Sequence, residues 1–198
     1  KVMKKDFLLS IIIPVYNEEA NISPLLEKLL PIVKQYNYEV VFINDGSTDA
    51  STKEILKHTK NTSVKLVEFN RNFGHQMALS CGYSLAKGDA VISMDADLQD
   101  PPEIIKEMIN KWQEGSMIVY AQRSERGVDS IIKRWSAQRF YSFINMLSDT
   151  PIPQDVGDFR LLDRQVVNYL NALPEHSRFY RGLVAWGGFP STYIGFRR

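Results

Sequence analysis

The sequence predicts an α/β domain: a mainly parallel sheet with helices on both faces. Three observations carry this. Short β-rich apolar runs alternate with helical patterns. The runs are almost continuously apolar, as strands covered on both faces are. The polar clusters of the first half (Tyr16-Asn17-Glu18, Asn44-Asp45-Gly46-Ser47, Asn70-Arg71-Asn72 and Asp95-Ala96-Asp97) follow those runs directly. Open parallel sheets bind ligands there, beyond the carboxyl ends of their strands.

Leu8–Val15 reads as the first strand. Ala20–Gln35 reads as a helix, because Leu25, Leu26, Leu29, Leu30 and Val33 recur at three- and four-residue spacing. Tyr38–Ile43 is a second strand, and Thr52–His58 a short helix behind the capping cluster Ser47-Thr48-Asp49. Val64–Phe69 is a third strand, followed by a helix over Gln76–Ala86. Gly88-Asp89 turns into a fourth strand, Ala90–Met94. A helix over Pro101–Glu114 keeps its prolines in the first turn, where their missing N–H groups are not needed. Met117–Ala121 is a fifth strand. No repeat, low-complexity tract or linker interrupts the pattern, so residues 1–198 read as one domain.

Composition excludes several classes. With 198 residues, 44% hydrophobic and 24% charged, the chain can bury a sizeable core. A net charge of +1 gives no global attraction to nucleic acid. The lone Cys81 cannot form an internal disulfide, fits a reducing compartment and reads as a small core residue on a helix. His58, His75 and His176 lack metal-ligand spacing, and no glycine-rich phosphate or dinucleotide loop is present. No run approaches the ~18 apolar residues that cross a bilayer, and no signal peptide is visible.

The chemistry concentrates in Asp95-Ala96-Asp97-Leu98-Gln99-Asp100-Pro101-Pro102. Side chains alternate along a strand, so a strand ending in Asp-x-Asp sends both carboxylates the same way. Converging carboxylates repel unless a cation lies between them, and oxygen donors suit Mg²⁺ or Mn²⁺ shared with substrate phosphates. Asp95 and Asp97 therefore read as metal ligands at a bound diphosphate. Downstream, residues 123–148 interleave Arg123, Arg126, Lys133, Arg134 and Arg139 with apolar side chains. Phe140, Phe143, Ile144 and Leu147 fall at helical spacing. That pattern suits either a helix lying on anionic lipid or one packed in a core or an oligomer contact.

The ordered set Pro14-Val15-Tyr16-Asn17-Glu18, Asn44-Asp45-Gly46-Ser47-Thr48-Asp49, Arg71-Asn72-Phe73-Gly74 and Asp95–Pro102 resembles the GT-A glycosyltransferases of family 2. It is most similar to the polyisoprenyl-phosphate glycosyltransferases, which include dolichyl-phosphate mannose synthases and bactoprenol glucosyltransferases. Val156–Asp163 and Arg181–Trp186 resemble later motifs of the bactoprenol branch, and Gly157-Asp158-Phe159-Arg160 departs from the Ser-Gly-Phe-Arg common in the mannose synthases.

The resemblance implies residue roles. Pro14, Tyr16 and Glu18 would hold base and ribose, Asp45 would accept from the base imide, and Arg71 would serve phosphate or be a surface charge. Asp95 and Asp97, with Gln99 as a third candidate, would hold the metal; Gln99 could equally be a polar helix start. Arg160 would grip the acceptor phosphate, with Arg123, Arg126 and Arg178 beside it and Arg181 a further candidate. Asp158 would orient groups or stabilise the sugar cation, and His75 would approach sugar or phosphate.

The implied reaction is inverting transfer of a sugar, glucose by preference, from a UDP-sugar to a polyisoprenyl (undecaprenyl) phosphate. The alternatives are a GDP-mannose donor, a polysaccharide or protein hydroxyl as acceptor, or a non-catalytic nucleotide-sugar-binding module. The resemblance also implies a domain at the cytoplasmic face of the cell membrane, self-association, and membrane helices or an amphipathic helix after the catalytic domain, which would lie beyond Arg198 if the chain is a fragment.

Overall fold

The computed structural model describes residues 6–123, 156–175 and 178–196. Seven strands form one sheet in the order β3-β2-β1-β4-β6-β5-β7. They are β1 Leu8–Val15, β2 Asn37–Asn44, β3 Val64–Glu68, β4 Ala90–Ser93, β5 Ile118–Arg123, β6 Val156–Asp163 and β7 Ser191–Phe196. β1 pairs in parallel with β2 and β4, β2 with β3, and β5 with β7. β6 alone runs against its neighbours, β4 and β5. The chain winds outward from β1 to β3, then crosses to the other side of β1 at β4. That reversal is the topological switch point where α/β sheets open a ligand crevice.

The helices are α1 Ile22–Val33, α2 Ser51–His58, α3 His75–Leu85, α4 Ile105–Gln113, α5 Arg164–Ala172 and α6 Tyr180–Trp186, with a 3₁₀ turn at Pro102–Ile104 before α4. Alternation along the strands assigns the two faces. Leu9, Ile11, Ile13 and Val15 of β1 join Leu25, Leu26 and Leu29 of α1 and Ile105, Met108 and Ile109 of α4 in one core. Ile12, on the opposite face, joins Ala78 and Leu79 of α3, Val166 and Val167 of α5 and Val184 of α6 in the other. The predicted fold class is observed.

Several elements differ from the sequence expectation. The fourth strand ends at Ser93 rather than Met94. β6, β7, α5 and α6 lie beyond the elements the sequence pattern assigns; β6, which carries Asp158 and Arg160, lacks a clean apolar signature. The basic stretch after Arg123, including Arg126, lies outside the described residues. Among the described residues, no helix is long and apolar enough to cross a membrane.

A buried polar knot locks β1 to β2 and to the turn before β4. Glu39, 4% exposed, accepts from Ser10 Oγ at 2.6 Å, Lys65 Nζ at 2.6 Å and the Lys87 N–H at 2.8 Å. Ser10 Oγ in turn accepts from the Gly88 N–H at 2.7 Å. Burial pushes the Glu39 carboxyl up, but Lys65, Ser10 and Lys87 outweigh it and leave it below its ordinary value of 4.5. Its stabilisation is therefore present above pH 4.5 and is lost as pH falls through the lower folded value. Glu39→Ala, which leaves buried donors unsatisfied, is expected to cost about 1–3 kcal/mol at neutral pH. Urea midpoints at pH 7 and at pH 3 test this: the gap between wild type and variant should narrow in acid.

Candidate active site

At the switch point lies a cleft of ≈ 390 Å³. β1 contributes Pro14 and Val15, and its following turn contributes Tyr16 and Glu18. Asn17 holds that turn in a left-handed conformation, φ 56°, because its Oδ1 accepts from the Thr48 N–H at 2.8 Å while its own N–H donates to Ser47 Oγ at 3.0 Å. Two loops from different strand ends are thus tied into one wall. Glu18 is anchored too: its N–H donates to Ser51 Oγ at 2.9 Å, and its carboxylate accepts from Asn21 Nδ2 at 2.6 Å. Tyr16 remains 47% exposed, a ring face available for stacking.

Asp45 closes the floor. Its two carboxylate oxygens accept from the Phe73 N–H at 2.7 Å and the Gly74 N–H at 2.9 Å. A carboxylate has two acceptor directions on each oxygen, so Asp45 can bind the turn and still meet a ligand. Gly46 beside it has φ +68°, and a Cβ there would stand 2.4 Å from the Arg71 carbonyl carbon. Gly46→Ala is expected to destabilise by about 1–3 kcal/mol, through strain and a backbone clash that pushes Asn72 out of the cleft wall; chemical denaturation and uridine-nucleotide binding both report it. Arg71 itself lines no part of the cleft. Its guanidinium lies 3.9 Å from the Phe73 ring centroid and donates to the Asn72 carbonyl at 3.2 Å.

Asp95 and Asp97 both line the cleft, as expected, but strand alternation is not the reason. Both lie past the end of β4, in a turn with Leu98 at φ 63°. Asp97 Oδ1 accepts from the Gln99 N–H at 3.0 Å, and the buried Asp100 carboxylate accepts from the Asp95 N–H at 3.0 Å. Burial pushes the Asp100 carboxyl up to about 6. Gln99 faces a separate depression with Lys28 and Pro101.

The opposite wall is Asp158, on β6 and nearly buried. Oδ1 pairs with Arg160 Nη2; Oδ2 lies 3.1 Å from Arg181 Nη2 and 3.2 Å from His75 Nε2. Burial alone would push this carboxyl up. The His75 hydrogen bond and the Arg160 and Arg181 charges outweigh it and hold Asp158 well below the usual carboxylate range. The Asp158 hydrogen bond raises His75 against the opposing effect of burial, and Asp95 Oδ1, 3.8 Å away, raises it further. Asp95 is raised by burial, with the charges of Asp158 and Asp97 adding to it and His75 opposing.

Three expected phosphate contacts are corrected. Arg160 has no exposed surface; it pairs with Asp158 and donates to the Tyr180 carbonyl at 3.4 Å, so it stands behind the cleft rather than in it. Arg178 is spent on the 173–180 connection, donating to the Leu173 and Glu175 carbonyls and to Tyr180 Oη. Arg123 is the last residue of β5 and lines no part of the cleft. Among the described residues, the arginine that does line it is Arg181, with His75. Arg181 opens a motif legible in the sequence, whereas nothing in the sequence sets His75 beside Asp158, 83 residues away.

The donor set fits a divalent cation. Asp95 and Asp97 are hard oxygen donors whose mutual repulsion a cation would relieve. Among the described residues, no group of three or more His, Cys, Asp or Glu side chains is gathered to hold a metal ion. That suits an ion completing its shell with diphosphate oxygens and water.

Comparison with known proteins agrees with this architecture. The glucosyl-3-phosphoglycerate synthase of Mycobacterium tuberculosis, solved with Mn²⁺, UDP-glucose and phosphoglyceric acid, superposes with a TM-score of 0.73 at 17% identity, covering 98% of this chain and 71% of that one. The fold is therefore that of the GT-A glycosyltransferases. A model of glycosyl transferase family 2 matches residues 10–170, and the chain belongs to that family. It is 46% identical over 193 residues to an uncharacterized glycosyltransferase of Synechocystis sp., covering 96% of this chain and 61% of the relative. It is 41% identical over 194 residues to the bactoprenol glucosyl transferase of Shigella phage SfV, again covering 96% and 61%. The chain thus spans about three fifths of the length of these relatives.

Proposed function

We propose that this chain is the catalytic domain of an inverting, metal-dependent glycosyltransferase that moves glucose from UDP-glucose to a polyisoprenyl phosphate of the undecaprenyl type. The observation that carries the reading is the state of Asp158. A carboxylate held far below the usual range by two arginines and a histidine is a weak base. It suits an acceptor that needs no deprotonation, and a phosphate monoester, with a second pKa of about 6, is already largely dianionic at pH 7. A hydroxyl acceptor would need a base to take its proton, and Asp158, tied to two arginines and a histidine, is a weak one. The likeness to a bactoprenol glucosyl transferase supports the same acceptor class.

Tyr16 stacks on the base, Pro14 and Glu18 bound the nucleoside end, and Asp45 accepts from the base. Asp95 and Asp97 would hold Mg²⁺ or Mn²⁺, which supplies Lewis-acid neutralisation of charge on the leaving diphosphate. The acceptor phosphate oxygen attacks the anomeric carbon from the face opposite the diphosphate. The new C–O bond forms as the old one breaks, its electron pair leaves with UDP, and the configuration inverts. Asp158 orients His75 and Arg181 around the reacting centre. On this reading the domain works at the cytoplasmic face of the cell membrane.

Two measurements test it. Thermal stabilisation by UDP-glucose should require Mn²⁺ or Mg²⁺ and should exceed that by GDP-mannose; a ligand at ~100 times its dissociation constant adds about 2.7 kcal/mol. Labelled glucose should then move to undecaprenyl phosphate. A larger shift with GDP-mannose would replace the donor, and label appearing on a hydroxyl acceptor instead would overturn the acceptor.

A further inference from the structure

Asp95 and Asp97 stand past the end of β4, where the sheet ladder no longer fixes the backbone. Other contacts hold this turn. The buried Ala96 and the partly buried Leu98 pack against the core shared by α1 and α4. Asp95 and Asp97, alternating with them, are left to the cleft. Leu98 keeps its place at φ 63°, a left-handed conformation that a residue with a side chain adopts only at a cost. Such strain persists where the surroundings over-determine it, and it gathers at functional sites. The other tie is the buried Asp100, whose Oδ2 reaches back five residues to accept from the Asp95 N–H at 3.0 Å. The far side of the turn is not solidly packed: Leu98, Gln99 and Asp100 line a depression of ≈ 300 Å³ together with Lys28 of α1. A backbone with a cleft on one side and a depression on the other has few neighbours to hold it. The strained Leu98 and the buried Asp100 carry that task.

We propose that Asp100 and Leu98 are positioning residues, which together fix the spacing of the Asp95 and Asp97 carboxylates before a divalent cation arrives. Two like charges on a loose turn would relax apart, and binding a cation would first have to draw them together. A turn already held in place removes that cost and binds the cation more tightly. Neither residue is offered as a ligand: Leu98 has no donor atom, and Asp100 is turned to the Asp95 N–H. The inference rests on the donor reading above, in which Asp95 and Asp97 hold a cation at the UDP diphosphate.

The test is Mn²⁺ affinity at a fixed excess of UDP, read from loss of the free-ion EPR signal against a protein-free UDP blank, with no turnover needed. Asp100→Ala should weaken Mn²⁺ by about 10–100-fold, the scale on which the partners of metal ligands are felt. Asp100→Asn, whose amide oxygen can accept the same N–H, should recover most of that loss. Leu98→Gly relieves the left-handed strain but removes the apolar anchor, and it should weaken Mn²⁺ at least ~10-fold. Uridine, which carries no phosphate, should bind wild type and all three variants alike. Wild-type Mn²⁺ affinity in Asp100→Ala and Leu98→Gly would overturn the inference. Equal losses in Asp100→Ala and Asp100→Asn would overturn it too, because the effect would then follow charge and not the hydrogen bond. Loss of uridine together with Mn²⁺ would assign the effect to the whole cleft and overturn it as well. Should Asp100→Ala fail to fold, the other two variants decide: the inference needs Asp100→Asn near wild type and Leu98→Gly weak. Absence of Mn²⁺–UDP binding in wild type counts against the proposed donor reaction, whereas its presence with the variants unchanged counts against this inference alone.

Discussion

Asp97→Asn is expected to lower sugar transfer by about 10³-fold, the scale on which one group stabilising a leaving charge is felt. The fold should survive. Asp97 is partly exposed, and its hydrogen bond to the Gln99 N–H can be accepted equally well by an amide oxygen. The discriminating readout is metal dependence. Wild type should gain thermal stability from UDP only with Mn²⁺ or Mg²⁺, and the variant should lose that increment while its unliganded Tm stays close to wild type. Asp95→Asn should behave similarly with a smaller loss, because its carboxyl is already raised by burial and by Asp158 and Asp97. A metal-dependent UDP shift retained in Asp97→Asn would remove the diphosphate site from this cleft.

The second large effect is expected at Asp158, where function and stability are joined. Asp158→Asn leaves Arg160 buried without a counter-charge, and breaking a buried ion pair by removing one partner costs about 3–5 kcal/mol. Because the amide oxygen still accepts from Arg160, the lower end of that range is expected. Turnover should fall at least about 10²-fold, since His75 and Arg181 lose the oxygen that gathers them. Pairing Asp158→Asn with Arg160→Met separates the two effects. The double variant should regain much of the lost stability, as apolar replacements of buried pairs do, while turnover stays low. Near-wild-type turnover in Asp158→Asn with donor binding intact would show that Asp158 does not organise the reaction. The pH sign also follows. A carboxyl whose folded pKa lies below its ordinary 3.8 adds stability above that value and loses it only in stronger acid. Asp158 also raises His75, whose added stability is lost as pH rises through its raised folded value. The stability gap between wild type and Asp158→Asn should therefore narrow as pH climbs from 5 to 8 in denaturation experiments.

The first half of the chain was legible because its signals are local. Leu8–Val15 reads as a buried strand from eight consecutive residues, and Leu25, Leu26 and Leu29 read as a helix face from their spacing alone. Even the wrong reason for Asp95 and Asp97, strand alternation instead of the turn beyond β4, led to the right cleft, because any residue just past β4 emerges at the same end of the sheet. β6 was not legible: an antiparallel strand inserted between β4 and β5 carries charged residues whose partners lie on other elements. Arg160 shows the limit most clearly. Arginine in a phosphate-enzyme motif reads as a phosphate ligand, yet its burial depends on Tyr83, Tyr120 and Tyr180, which fill the same core from three distant segments.

The sequence by itself determined the parallel half of the sheet, the strand ends where ligands gather and the oxygen donors suited to a divalent cation, since these rest on residue type and near-neighbour order. Only the tertiary structure decided which cation faces the cleft. His75, Asp158 and Arg181 become a cluster because β6 enters the sheet antiparallel and the Tyr180–Gln76 hydrogen bond holds α6 against α3. Side chains separated by 83 and 23 residues interact only once the chain has folded to bring them within about 3 Å.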